Sequence, residues 1–133
     1  MAARPLVRHA RHVVYGLLAD AVMLAHFAFL VFLALGGFLA WRYPRAIWPH
    51  LAAAGWGVLS VAGVLDCPLT AWEDRFRRLA GQQGLTRGFV DSYLTGVVYP
   101  REYLLVVQLL LAGLVAVSWV GLWTRRRLRS SRR

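Results

Sequence analysis

The chain has 133 residues, 59% of them hydrophobic and 17% charged, with a mean hydropathy of +0.50. Soluble domains run nearer about 45–50% apolar and about 25% charged, and a chain this short has no large core in which to bury the surplus. That excludes a water-soluble monomer and points to one domain embedded in a bilayer. All 16 basic residues are arginine, against six acids, for a net charge of +10. The single Cys67 excludes an internal disulfide framework and a multi-cysteine zinc site.

A basic segment opens the chain over residues 1–12, and its His9 and His12 read as solvated. The apolar run Val13–Trp41 follows, 29 residues long. As a helix it measures about 43 Å against a hydrocarbon core of about 30 Å, so it tilts or projects from the membrane. It passes into Trp41-Arg42-Tyr43-Pro44 with no small-residue cleavage site, and so reads as an uncleaved span. The second run, Ala46–Cys67, is rich in Ala and Gly, residues that let membrane helices approach closely. Thr70-Ala71-Trp72-Glu73 has the form of a capping box. Leu69, Trp72, Phe76 and Leu79 then recur at helical spacing until Gly81, which predicts a short helix lying on the membrane surface. Phe89 to Val98 makes a second amphipathic stretch too short to cross. Glu102–Trp123 is the third span, with Pro100 at its amino edge and Trp119 and Trp123 in an aromatic belt.

These elements predict an all-α integral membrane helical bundle. It has three transmembrane helices and one or two short amphipathic interfacial helices, in a single embedded domain over residues 13–123. Six of the last nine residues are arginine, and the tail 124–133 reads as a cytoplasmic anchor that touches anionic lipid head groups and not nucleic acid. The arginine count ties at eight on each side, and the density of the tail places the carboxyl end inside.

Helical rise sorts the polar residues by depth. Asp20 and Asp66 reach the interface on the side away from Arg42, where Glu102 also stands. About 9 Å further in, His26, Ser60 and Gln108 share one level, each on a different span. Asp20, His26, Ser60, Asp66 and Gln108 are therefore the candidate polar pocket, with interhelical hydrogen bonding as the plainer role. A depth difference of about 16 Å between His26 and His50 excludes bis-histidine haem ligation. No metal and no cofactor are expected. Cys67 lies beside Asp66 and Glu73, an acidic setting that disfavours a thiolate, and no histidine is near it in sequence.

At Leu18-Ala19-Asp20, His26-Phe27, Trp48-Pro49-His50, Cys67-Pro68-Leu69-Thr70-x-x-Glu73, Gly88-Phe89 and Tyr99-Pro100 the chain resembles a bacterial membrane family, domain of unknown function 2784. The resemblance covers about residues 15–123, and its motif falls here on Asp20, His26, His50, Cys67, Thr70 and Glu73. It implies a small multi-pass protein of the bacterial plasma membrane and carries no activity with it. The expectation is a structural or accessory component that packs against partner membrane subunits or a second copy. A membrane enzyme or small carrier working through the His26 pocket is the alternative.

Overall fold

The computed structural model describes residues 3–132, and among them the regular structure is all helical. Five α-helices follow in order: α1 (Ala3–Arg42), α2 (Ile47–Val61), α3 (Pro68–Leu79), α4 (Phe89–Tyr93) and α5 (Leu104–Ser130). Single 3-10 turns at Pro44–Ala46 and Arg101–Tyr103 lead into α2 and α5. Two helical stretches, Leu6–Arg42 and Arg101–Ser130, are long and apolar enough to cross a membrane. Only 22% and 11% of their most apolar windows are buried, so these helices turn most of their apolar side chains outward. A core helix of a soluble protein would bury them.

The apolar runs set the helices, but their ends depart from expectation. The basic amino-terminal segment, from Ala3 onward, is part of α1, which reaches 40 residues and about 60 Å. Met1 and Ala2 of that segment, like Arg133 of the tail, lie outside the described residues. The tail is helical as well: α5 runs on through Arg125, Arg126, Arg127 and Arg129 to Ser130. Arginine is a good helix former, and cations near a helix carboxyl end complement its dipole. The run Ala46–Cys67, by contrast, is helical only over Ile47–Val61, 15 residues or about 22 Å. Gly63, at φ +70°, stops it. The Gly63 amide donates to the Ser60 carbonyl at 3.2 Å and the Val64 amide to Leu59 at 3.0 Å, the paired bonds of a left-handed glycine cap. Gly81 closes α3 in the same way.

The chain forms two compact units, and α1 contributes to both. One comprises residues 29–65 with those from 99 onward. In it, α2 presents the stripe His50, Ala53, Ala54 and Gly57, at the i, i+3, i+4, i+7 spacing of one helix face. The first three are buried, and a side-chain carbon on Gly57 would come within 3.2 Å of Leu33. Leu33, Ala53 and Ala54 form the core of this unit, with Phe29, Phe32, Leu111 and Trp119 around it. Since His50 meets Gly36 and Gly57 meets Leu33, α2 runs antiparallel to α1. Gly37 faces Ser118 and Trp41 faces Gly121, so α5 runs parallel to α1. The Trp41 indole Nε1 donates to the Ser118 carbonyl at 2.8 Å, locking that register.

The other unit comprises the chain through residue 28 and residues 66–98. Cys67 meets His26, Phe76 meets Tyr15 and Gly81 meets His12. From Cys67 to Gly81 and from His26 back to His12 are each 14 residues, about 21 Å of helix. So α3 lies lengthwise and antiparallel along α1. The surface on which α3 packs is therefore that of α1. The capping box is corrected. Pro68, with no amide hydrogen to lose, takes the first helical turn and Cys67 the N-cap, so Thr70 already stands inside the helix.

The close approach of α1 and α5 predicts a position-specific glycine effect. A side-chain carbon on Gly37 would collide with Ser118 Oγ and come within 2.8 Å of its Cβ, whereas Gly113 has nothing within 4 Å. Gly37→Ala should lower stability by about 1–3 kcal/mol, the usual cost of overpacking. Gly113→Ala should be neutral or stabilising by up to about 1 kcal/mol, through helix propensity. Thermal denaturation of both variants in one detergent checks the pair; equal behaviour would refute the Gly37–Ser118 contact.

Candidate functional site

Two polar clusters stand out, one in each unit. In the unit holding residues 29–65 the cluster is built on His50, which is fully buried. Its Nε2 lies 3.0 Å from the Leu33 carbonyl, and the Trp119 indole Nε1 lies 3.1 Å from its Nδ1. A carbonyl accepts and an indole N–H donates, so His50 carries its proton on Nε2 and keeps Nδ1 as acceptor. Both ring nitrogens are thus committed, one to α1 and one to α5. The glycines at 36 and 37 make the room, since a side-chain carbon on Gly36 would press into the imidazole and one on Gly37 would come within 3.2 Å of it.

In the unit holding residues 66–98 the cluster is built on Glu73, also fully buried. Glu73 Oε1 accepts from Arg77 Nε at 3.0 Å and from the Tyr93 hydroxyl, and it lies 2.9 Å from Arg77 Nη2. Arg77 Nη2 in turn donates to the Tyr93 hydroxyl at 2.6 Å, closing a triangle. The same guanidinium reaches Gln82 Oε1 at 3.2 Å and Met23 Sδ at 3.8 Å. Glu73 Oε2 has no hydrogen-bond partner among the described residues. Burial and the hydrogen bond to Glu73 push the Tyr93 phenol up to about 12, with Arg77 working against them. Burial alone would lower Arg77, but its bond to Glu73 and the neighbouring Tyr93 and Asp20 hold it above its ordinary value. The triangle therefore keeps its guanidinium charged and its phenol neutral across the physiological range.

Beside it, His26 is 5% exposed and stacks on Phe89, with ring centroids 3.8 Å apart at 17°. Its Nε2 lies 3.7 Å from the half-buried Cys67 thiol, and it is close enough to Glu73 to feel that charge. This corrects the reading of Cys67 as a cysteine with no histidine at hand. Forty-one residues separate the pair, and only the antiparallel packing of α3 on α1 joins them.

The other predicted residues are placed as follows. Asp20 and Asp66 are exposed, and Asp20 acts on the Arg77 guanidinium. Ser60 and Gln108 belong to the unit that holds His50. The Ser60 hydroxyl is buried with no hydrogen-bond partner among the described residues, and Gln108 is half-buried on α5. Thr70 is half-buried in the first turns of α3. Sequence reasoning missed Arg77 and Tyr93. The one available signal was the Glu73/Arg77 spacing of four, which marks many exposed helix pairs as well.

The family model described as Protein of Unknown function (DUF2784) matches residues 16–124, and the chain belongs to that family. No curated protein and no solved structure matches it. The match takes in both clusters and leaves the arginine-bearing end of α5 outside.

The Glu73 triangle yields two predictions. Arg77→Met strands a buried carboxylate and should cost about 3–5 kcal/mol, while the double change Glu73→Leu with Arg77→Met should recover much of that loss. Chemical denaturation of the three proteins checks this; an additive double variant would refute it. The second concerns pH. The Tyr93 phenol ionises near pH 10 when unfolded and at about 12 here, so its contribution is complete below pH 10 and drains away toward pH 12. Spectrophotometric titration should show one late-ionising tyrosine, absent in Tyr93→Phe.

Proposed function

We propose that the protein is a small integral membrane component with a structural or accessory role, crossing the bilayer three times with its carboxyl end in the cytoplasm. The observation that carries this reading is the use made of its polar residues. Both nitrogens of His50 are spent on bonds to other helices, and Glu73 is closed against Arg77 and Tyr93. Groups bonded in this way serve as glue between helices. Three crossings are supported by the parallel course of α1 and α5, because two parallel crossings need a return between them, and α2 runs the opposite way. The return is short, but exposed Val58, Val61, Val64 and Leu65 extend an apolar surface to its end. The arginines at the carboxyl end of α5 favour the cytoplasmic face. A bilayer explains why so many large apolar side chains lie exposed, and partner membrane subunits or a second copy would cover others.

Single cysteines placed at Gln82 and at Ser130 in a Cys67→Ser background test the topology. Labelling from outside intact cells should reach the first and spare the second. Equal accessibility would refute three crossings. For the role, cross-linking in native membranes should give a complex of fixed stoichiometry with another membrane protein or a second copy. A monomer that turns over a lipid or small solute would refute it.

The contact between Cys67 and His26 favours a second reading, a membrane enzyme or carrier with a reactive thiol. Cys67 stands at the N-cap of α3, and the imidazole 3.7 Å away can accept its proton. Under this reading Cys67 reacts with iodoacetamide faster than a free cysteine at neutral pH, and His26→Phe removes the excess. An ordinary rate in both proteins removes the second reading.

A further inference from the structure

We propose that the groove where the end of α1 meets the arginine-bearing turns of α5 binds the phosphate of an anionic phospholipid. The site rests on the membrane reading above and lies in the unit formed by residues 29–65 and those from 99 onward. Arg125, Arg126 and Arg129 line the groove together with Trp41. Arg125 and Arg129 are four apart and share one face of α5, so their guanidinium groups flank a single opening. The planar, forked guanidinium matches phosphate oxygens two at a time and stays charged at every relevant pH.

Three features make this more than a basic patch. Trp41 is held still, because its indole N–H is bonded to the Ser118 carbonyl at 2.8 Å and its ring fits where a side chain on Gly121 would collide. The Arg125 guanidinium sits 4.2 Å over that ring, which fixes one cation at the groove wall. Among this unit's described residues Glu102 is the one acidic side chain, so no other carboxylate side chain of the unit competes for the arginines. Glu102 stands 23 residues before Arg125, about 34 Å along the helix. Three cations at one opening repel each other, and an anion relieves that repulsion.

The remaining walls decide for a lipid over a soluble anion. Ala40, Pro44 and Leu122 close the groove on its other sides. Leu114, three turns before Arg125 on the same face of α5, is 39% exposed, so apolar surface continues away from the groove along α5. A ligand that fits has a phosphate at one end and hydrocarbon at the other. Tryptophan and arginine at this level belong to the interfacial layer where lipid phosphates lie.

The test uses the full chain, purified in detergent and reconstituted in phosphatidylcholine vesicles with or without phosphatidylglycerol. Retained phosphatidylglycerol is read by native mass spectrometry after re-solubilisation. The groove variant R125Q/R126Q/R129Q should retain about tenfold less than the parent, the least expected from losing one charge-assisted phosphate contact. The control R11Q/R127Q/R132Q removes equal charge from described residues that do not line the groove and should lose less than about twofold. Equal loss in both variants overturns the site. If the triple variant does not fold, Arg129→Gln alone should give the same direction, and unchanged retention overturns the site. Protection of the arginines from phenylglyoxal distinguishes the source of the phosphate: phosphatidylglycerol should protect, and equal protection by inorganic phosphate overturns the lipid assignment. Alkaline carbonate washing separates this inference from the reading beneath it. A protein released by the wash refutes both, while one that stays in the membrane without selective retention refutes the groove alone.

Discussion

The length of α1 is the constraint on which the other elements depend. One unbroken helix of 40 residues offers a surface to every other helix in turn. Near its amino end it meets α3 through Tyr15 and His26, and it meets α4 where Phe27 packs on Phe89 and Tyr93. Near its carboxyl end it meets α2 and α5 through Leu33, Gly36, Gly37 and Trp41. Few large apolar side chains are buried among the described residues. Close packing and polar bonds must then do what a water-excluding core does in a soluble domain. The buried residues reflect that: small ones such as Ala40, Ala53 and Ala54, and polar ones such as His50, Glu73 and Ser118.

The two clusters show two ways of placing a polar group where water is scarce. His50 is neutral and doubly bonded, so its burial carries little electrostatic cost. Glu73 is charged, and its burial is tolerable because Arg77 and Tyr93 converge on one of its oxygens. An ion pair of this kind contributes less to net stability than its short distances suggest, since desolvation opposes it. What it does supply is geometry. The Arg77 guanidinium touches α1 through Met23, α4 through Tyr93 and its own helix through Glu73. Three helices are thereby set against one planar group.

Much of this was legible in the sequence, and what was missed has definable causes. The apolar runs located α1 and α5, because spans of that length and composition have few alternatives. Gly81 ended α3 as expected, and the small residues of the second run did mark a packing face. The face that α3 turns to α1 was not legible from its hydrophobic periodicity. Trp72 and Leu79 are exposed at 61% and 41%, while Glu73 on another face is wholly buried. Periodicity assumes that charge faces solvent, and a buried ion pair inverts the assumption. The proximity of Cys67 and His26 was unreadable for another reason: depth matching compares levels along a helix and says nothing of which helices touch.

The same argument explains why the sequence could not settle the role of His26. Its level among the polar residues was fixed by counting, but the ring beside it was not. Phe89 comes from a five-residue helix that neither depth nor hydropathy would pair with α1. Stacked on that ring, the imidazole has one face closed by hydrocarbon and its Nε2 edge turned to a thiol. The Phe89 ring leaves the imidazole its edges for polar contact. A thiol as neighbour gives a reason for a proton to move, from sulfur to nitrogen. Glue and reactive centre are therefore two uses of one contact, a hydrogen bond kept or a proton passed, at an edge that Phe89 leaves open.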